Sequence, residues 1–178
     1  MRTKPLPWRS ALRIIRLAAK GLQAVHKQGL LHRDIKPSNI MYSTEARVLL
    51  MDFGLVRENE SADLTVPGGV VGTPPYMAPA QCQTHMKLDV RCDVYSLAAT
   101  LYYLLSARSP FEGSVIEVMT QKTSGEMPRS IHDLIPHVPR EVSDLTHRAM
   151  ALRREKRPAT AEQFQKEVDE HLRSIPDK

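Results

Sequence analysis

From Asp93 to Ala107 the chain is strongly apolar over the length of a helix, and Leu97 to Leu105 is relieved only by a threonine and two tyrosines. A helix of this character belongs inside a core, so the segment predicts a central buried helix around which the rest of the chain packs. The apolar run is far short of the ~20 residues that a membrane-spanning helix requires. A chain of 178 residues can bury one good core, which favours a single domain.

The remaining segments fit around such a helix. In residues 9–28, Leu12, Ile15, Ala19, Leu22 and Val25 recur at three- and four-residue spacing, while Arg13, Arg16, Lys20 and Lys27 fall elsewhere. That pattern predicts an amphipathic helix, ended by Gly29 where a left-handed residue is wanted. Ile40-Met41-Tyr42 and Val48-Leu49-Leu50-Met51 flank the polar Ser43–Arg47 and predict a small hairpin. Pro37 keeps the intervening His32–Asn39 segment from re-entering a helix. Residues 55–76 show no periodicity and predict a long loop, a length that is usually functional. Further helices are expected at 114–123, at 140–151 and from Thr160 to Arg173, where Thr160-Ala161-Glu162-Gln163 resembles a capping box. The expected fold is mainly α with one small β-hairpin.

Hydrophobic residues at 42% and charged residues at 25% exclude a disordered chain. A net charge of +5 admits anionic partners such as nucleotide phosphates. The basic residues are scattered in small groups, Arg13/Arg16/Lys20 and Arg153/Arg154/Lys156/Arg157, so no nucleic-acid interface is expected. Cys82 and Cys92 form no C-x-x-C, and no histidines stand at ligand spacing, so neither a disulfide framework nor a zinc site is indicated. His85, His132, His137, His147 and His171 read as surface or helix-cap residues. Two unpaired thiols suit a reducing compartment, and Arg13, Arg16 and Lys20 interrupt any signal-peptide core. A cytoplasmic location, with no membrane segment, is the expectation.

Chemistry concentrates in His32-Arg33-Asp34-Ile35-Lys36-Pro37-Ser38-Asn39 and in Asp52-Phe53-Gly54 beyond the hairpin. Moving a phosphoryl group demands positioning and charge neutralisation, because its transition state is loose and spreads charge over phosphate oxygens. A carboxylate must orient the attacking hydroxyl, and hard Mg2+ prefers carboxylate and carbonyl oxygens. Asp34, Asn39 and Asp52 supply such oxygens from two adjacent loops. Lys36 can project a compact cation toward the transferring phosphate.

The run H-R-D-x-K-P-x-N, the D-F-G, and Gly72-Thr73-Pro74-Pro75-Tyr76-Met77-Ala78-Pro79 resemble the eukaryotic-like serine/threonine protein kinases, particularly the bacterial ones. Asp93-Val94-Tyr95-Ser96-Leu97 looks like the start of that family's central helix, and Lys156-Arg157-Pro158 like the arginine near its C-terminal helix. The resemblance covers almost all of residues 1–178, as the C-terminal lobe of the catalytic domain. It implies a catalytic loop at 32–39, an activation segment at 52–80 and a helical remainder at 91–173. It implies that Asp34 is the base, that Lys36 contacts the γ-phosphate of ATP, and that Asn39 and Asp52 hold Mg2+. By the same resemblance Arg33 pairs with a phosphate on Thr65 (or Ser61), Thr73 sits beside Asp34 and Lys36, and His32 and Asp93 brace the loop. The implied partner is a protein with a serine or threonine acceptor.

Three departures from the family pattern stand out. Ala80 occupies the place of a glutamate that pairs with the arginine matching Arg157, which costs about 3–5 kcal/mol if that arginine is buried and unpaired. Ala98 replaces a helix glycine, with strain of ~1 kcal/mol expected. Residues 1–8 leave no room for the glycine-rich loop, strand lysine and helix glutamate that fix ATP. A truncated kinase completed by an N-terminal lobe or by another kinase is therefore expected. The alternative is a catalytically inactive kinase-like binding or scaffold module.

Overall fold

In a computed structural model, which describes residues 4–43, 47–52, 73–83 and 86–176, the chain opens with α1 (Trp8–Lys27) and an antiparallel hairpin of β1 (Ile40–Tyr42) and β2 (Val48–Leu50). Then follow α2 (Val90–Ser106), α3 (Val115–Ser124), the single turn α4 (Ile131–Leu134), α5 (Arg140–Ala149) and α6 (Ala161–Ser174). The expected class, mainly helical with one hairpin in the manner of a kinase C-terminal lobe, is the class observed.

α2 is the axis of the core. Leu97, Ala98, Ala99, Leu101 and Leu105 are wholly buried, and α1, α5 and α6 pack around them. Asp89 caps the helix start, accepting from the Arg91 amide at 2.9 Å. Ala107 ends it in the left-handed region, at φ 56°, donating to the Tyr103 carbonyl at 2.8 Å. Ala98 sits in an unbroken helix, so the core has room for its methyl. Ahead of α1, the Leu6 amide donates to the Leu104 carbonyl at 2.8 Å and ties the entering chain to α2.

α1 buries Leu12, Ile15, Ala19 and Leu22 as the spacing predicts, and Gly29 takes φ +74° just beyond it. In the hairpin Ile40 pairs with Leu50 and Met41 with Leu49. Ile40, Val48 and Leu50 lean on the core, whereas Met41, Tyr42, Leu49 and Met51 remain 42–55% exposed. The hairpin therefore presents an uncovered apolar face.

Two caps differ from expectation. At α6 the Thr160 hydroxyl accepts from the Gln163 amide at 3.0 Å, but the Gln163 side chain reaches back to the Ala159 amide instead of closing a reciprocal box. The reciprocal box is at α3: Ser114 accepts from the Glu117 amide, and the Glu117 carboxylate accepts from the Ser114 amide at 2.7 Å. These bonds hold the Glu117 carboxyl below the usual carboxylate range. α4 was not anticipated, because four residues are too few for a periodic pattern to register. His132, His147 and His171 are part-buried and bind nearby backbone carbonyls, the last two within their own helices; His85 lies outside the described residues.

Candidate active site

The site is built on a buried carboxylate. Asp93, in the first turn of α2 and 1% exposed, accepts from the backbone amides of His32 and Arg33, both at 2.8 Å. The His26 ring, from the end of α1, adds a bond at 2.9 Å. One side chain thus fixes two consecutive peptide units. Arg33 takes φ 66° there, a conformation that non-glycine residues adopt only when their surroundings enforce it. His32, itself buried, reaches the Met51 carbonyl at 3.1 Å. It joins the loop to the end of β2, one residue ahead of Asp52.

With its start anchored, the loop brings its polar side chains together. The Lys36 ammonium donates to Asp34 Oδ2 at 2.7 Å and to the Thr73 hydroxyl at 3.1 Å. Asn39, buried in the turn Pro37–Asn39, donates its Nδ2 to the Asp34 carbonyl at 2.8 Å and to Asp34 Oδ2 at 3.1 Å. Four residues from two segments distant in sequence therefore share one hydrogen-bonded cluster. The Met51 amide donates to the Asn39 carbonyl at 2.8 Å, which puts Asp52 alongside. Asp52 is exposed and also left-handed, at φ 65°.

The chemistry of this set fits a hard divalent cation and a phosphate. With Nδ2 committed to Asp34, the Asn39 amide keeps its Oδ1 available, contacted among the described residues only by the Ser38 hydroxyl at 3.4 Å. That oxygen and the Asp52 carboxylate are the donor types Mg2+ takes from proteins. A cavity of about 680 Å³ opens beside Lys36 and Thr73, walled by Pro37, Ile40, Tyr76 and Tyr103.

The sequence that carries these groups finds a match among known proteins: the model of the protein kinase domain family covers residues 2–168. The chain belongs to the protein kinase domain family. It is similar to serine/threonine-protein kinase PknL of Mycobacterium tuberculosis, 37% identical over 148 residues, or 83% of this chain and 37% of that protein. It is also similar to a probable serine/threonine-protein kinase PknB of Bifidobacterium longum, 36% identical over 80% of this chain and 21% of that one. A third relative, pkn2 of Myxococcus xanthus, is 34% identical over 90% of this chain and 20% of its own length. The chain thus spans well under half of the relatives it matches. Protein kinases as a family use ATP with Mg2+ and act on proteins. No described helix is long and apolar enough to cross a membrane.

Of the remaining residues singled out by the kinase pattern, Phe53, Gly54, Ser61 and Thr65 lie outside the described residues. The Arg33 Nε is buried and has no hydrogen-bond partner among the described residues. Cys82 is half-buried, and burial pushes its thiol up, the behaviour of an inert cysteine. Tyr95, Tyr102 and Tyr103 are core residues.

Arg157 is buried but not unpaired, so the condition that would make Ala80 costly is not met. It is 5% exposed, and its guanidinium donates to the carbonyls of Ala151 at 2.7 Å, Leu152 at 3.0 Å and Arg91 at 3.3 Å. It also lies 4.9 Å over the Tyr95 ring. Backbone oxygens replace the missing carboxylate, which the sequence could not reveal because every residue carries a carbonyl.

One further buried charge escaped the sequence reading. Lys122 of α3 is 1% exposed, and its ammonium donates to the carbonyls of Pro75 at 2.9 Å and Met77 at 2.6 Å. The available signal was its place four residues after buried Val118, on the inward face of α3, where a charge breaks the apolar pattern.

Proposed function

We propose that this chain is the C-terminal lobe of a serine/threonine protein kinase, transferring the γ-phosphate of ATP to a serine or threonine hydroxyl of a protein substrate. The observation that carries this reading is the convergence of Asp34, Lys36, Asn39 and Thr73 in one hydrogen-bonded cluster beside Asp52. Asp34 accepts the proton of the incoming hydroxyl and aims it. Lys36, already bridging Asp34 and Thr73, places its charge where the transferring phosphate arrives. Asn39 and Asp52 hold Mg2+, which when bound neutralises the phosphate charge. The unpartnered Arg33 Nε supports pairing of Arg33 with a phosphate on Thr65. The functional segments are the catalytic loop 32–39, the activation segment 52–80 and the helical remainder 91–173.

Full activity on this reading needs an N-terminal lobe to close over the nucleotide. The exposed apolar hairpin face of Met41, Leu49 and Met51 supports such a covering partner, since exposed apolar patches mark interaction sites. The test is phosphate transfer to a generic basic protein, by the chain alone and co-expressed with an N-terminal kinase lobe. Asp34→Ala is expected to lower the rate by about 10²–10⁴-fold. No transfer in either form would end the proposal.

The same uncovered face also favours a second reading, a kinase-like module that binds partners without catalysis. That reading expects no heat of Mg–ATP binding by calorimetry from a chain that still captures a kinase lobe, and measurable nucleotide binding would exclude it.

A further inference from the structure

Lys122 has no part in the phosphate-directed cluster, yet it is a charged side chain buried in the core. Its ammonium lies over the rings of Tyr95 and Phe111, 4.8 Å from each centre. Its three polar contacts are the carbonyls of Pro75 and Met77 and, at 3.3 Å, the Tyr95 hydroxyl. Both carbonyls belong to the short turn Pro74–Tyr76 and the residue after it. That turn continues directly from Thr73, and the Tyr76 amide closes it on the Thr73 carbonyl at 3.0 Å. Thr73 and Tyr76 in turn wall the cavity beside Lys36. An unbroken path of short contacts therefore runs from α3 through the turn to Thr73, Lys36 and Asp34.

We propose that Lys122 is a positioning residue for the acceptor protein: by pinning the Pro75 and Met77 carbonyls to α3, it sets the wall against which the acceptor segment is held at Asp34. The proposal rests on the kinase reading above and adds to it a residue remote from the reacting groups. Two carbonyls two residues apart need donors from one point in space, which an ammonium supplies and an apolar side chain cannot. The tie also survives loss of the proton. As an ammonium, Lys122 donates to all three oxygens; as an amine, its two N–H groups still serve the carbonyls while the Tyr95 hydroxyl turns to donate to the lone pair. Burial, with Arg157 nearby, lowers the Lys122 ammonium to about 7, Cys82 acting in the opposite direction, so both forms are present near neutral pH.

The test compares Lys122→Met, which keeps the stem and removes the donors, with the unaltered chain in the same kinase preparation. Expected are a rise of about tenfold in KM for the protein acceptor, near one lost hydrogen bond, and an ATP KM unchanged within about twofold. Amide hydrogen exchange in 74–83 should quicken by about tenfold while exchange in α2 stays as it was. Lys122→Gln, which keeps a donor on a shorter stem, is the milder variant should the methionine variant not fold, with smaller changes in the same direction. Wild-type acceptor KM and wild-type exchange in 74–83 would overturn the proposal. So would a uniform loss, with both KM values, kcat and α2 exchange moving together, because that is a merely structural role. Absence of any phosphate transfer by the unaltered protein would instead strike the kinase reading, and the exchange measurement would still decide whether Lys122 holds the turn.

Discussion

Asp93 and Tyr95, two residues apart at the start of α2, organise buried charge of opposite sign. At Asp93 an anion collects donors: two backbone amides at 2.8 Å and one imidazole at 2.9 Å. Around the Tyr95 ring two cations, Lys122 and Arg157, collect acceptors: five backbone carbonyls between them. Among the described residues neither cation makes a salt bridge. The lesson is that the main chain itself can neutralise either sign, provided enough peptide units are turned toward the charge. The cost differs. The anion's donors hold a loop in a conformation it would otherwise avoid, whereas the cations join segments already in low-energy turns.

This contrast can be broken by experiment. The largest effect is expected at Asp93: Asp93→Ala leaves two buried amides without acceptors and should cost about 3–5 kcal/mol, read from urea unfolding midpoints. A loss below about 1 kcal/mol would mean that water serves those amides and that the anion is dispensable. Arg157→Met, which strips donors from three carbonyls, should cost about 2–3 kcal/mol, and Arg157→Lys should recover only part, since a single ammonium cannot reproduce the fork.

The third effect separates the two cations. Burial pushes the Lys122 ammonium down from 10.5 to about 7 in the folded protein, so between these values the unfolded chain holds its proton and the folded protein does not. Stability should therefore rise with pH from about 7 toward 9, by at most about 1.4 kcal/mol per unit; above that, Cys92 and Cys82, whose thiols burial pushes up, oppose the rise. Arg157, Cys82 and the Tyr95 hydroxyl face the same ammonium, and the thiol and phenol are pushed up by burial. Lys122→Met should flatten that slope, which urea unfolding across the range would reveal; an equally steep slope in the variant would assign it to another group. The smallest effect belongs to Ala80→Glu. Because carbonyls already occupy the guanidinium, the restored carboxylate should change stability by less than about 1 kcal/mol, and a gain near 3 kcal/mol would show that carbonyls are a poor substitute.

Legibility in the sequence followed from how local each signal is. The amphipathic pattern of α1, the apolar run of α2 and the hairpin around Ser43–Arg47 depend on neighbours within a few residues, and all three appear at nearly the expected bounds. α4 is too brief for a periodic pattern to register, whereas the α3 box was open to the sequence, since Ser114-x-x-Glu117 is the same signature as the one at Thr160. In the site, Asp34, Lys36 and Asn39 could be proposed together because one short loop carries them. Thr73 joins them only through folding, and its place was expected by resemblance alone.

The chain's own order of residues therefore determined its family, its helices and hairpin, and the polar loop with its base, its lysine and its amide, since those properties are written in adjacent positions. Tertiary structure alone decided how Arg157 does without a carboxylate and why a lysine lies in the core beneath Thr73. Both depend on which backbone carbonyls point inward. Every residue has a carbonyl, and only the packed fold chooses its direction.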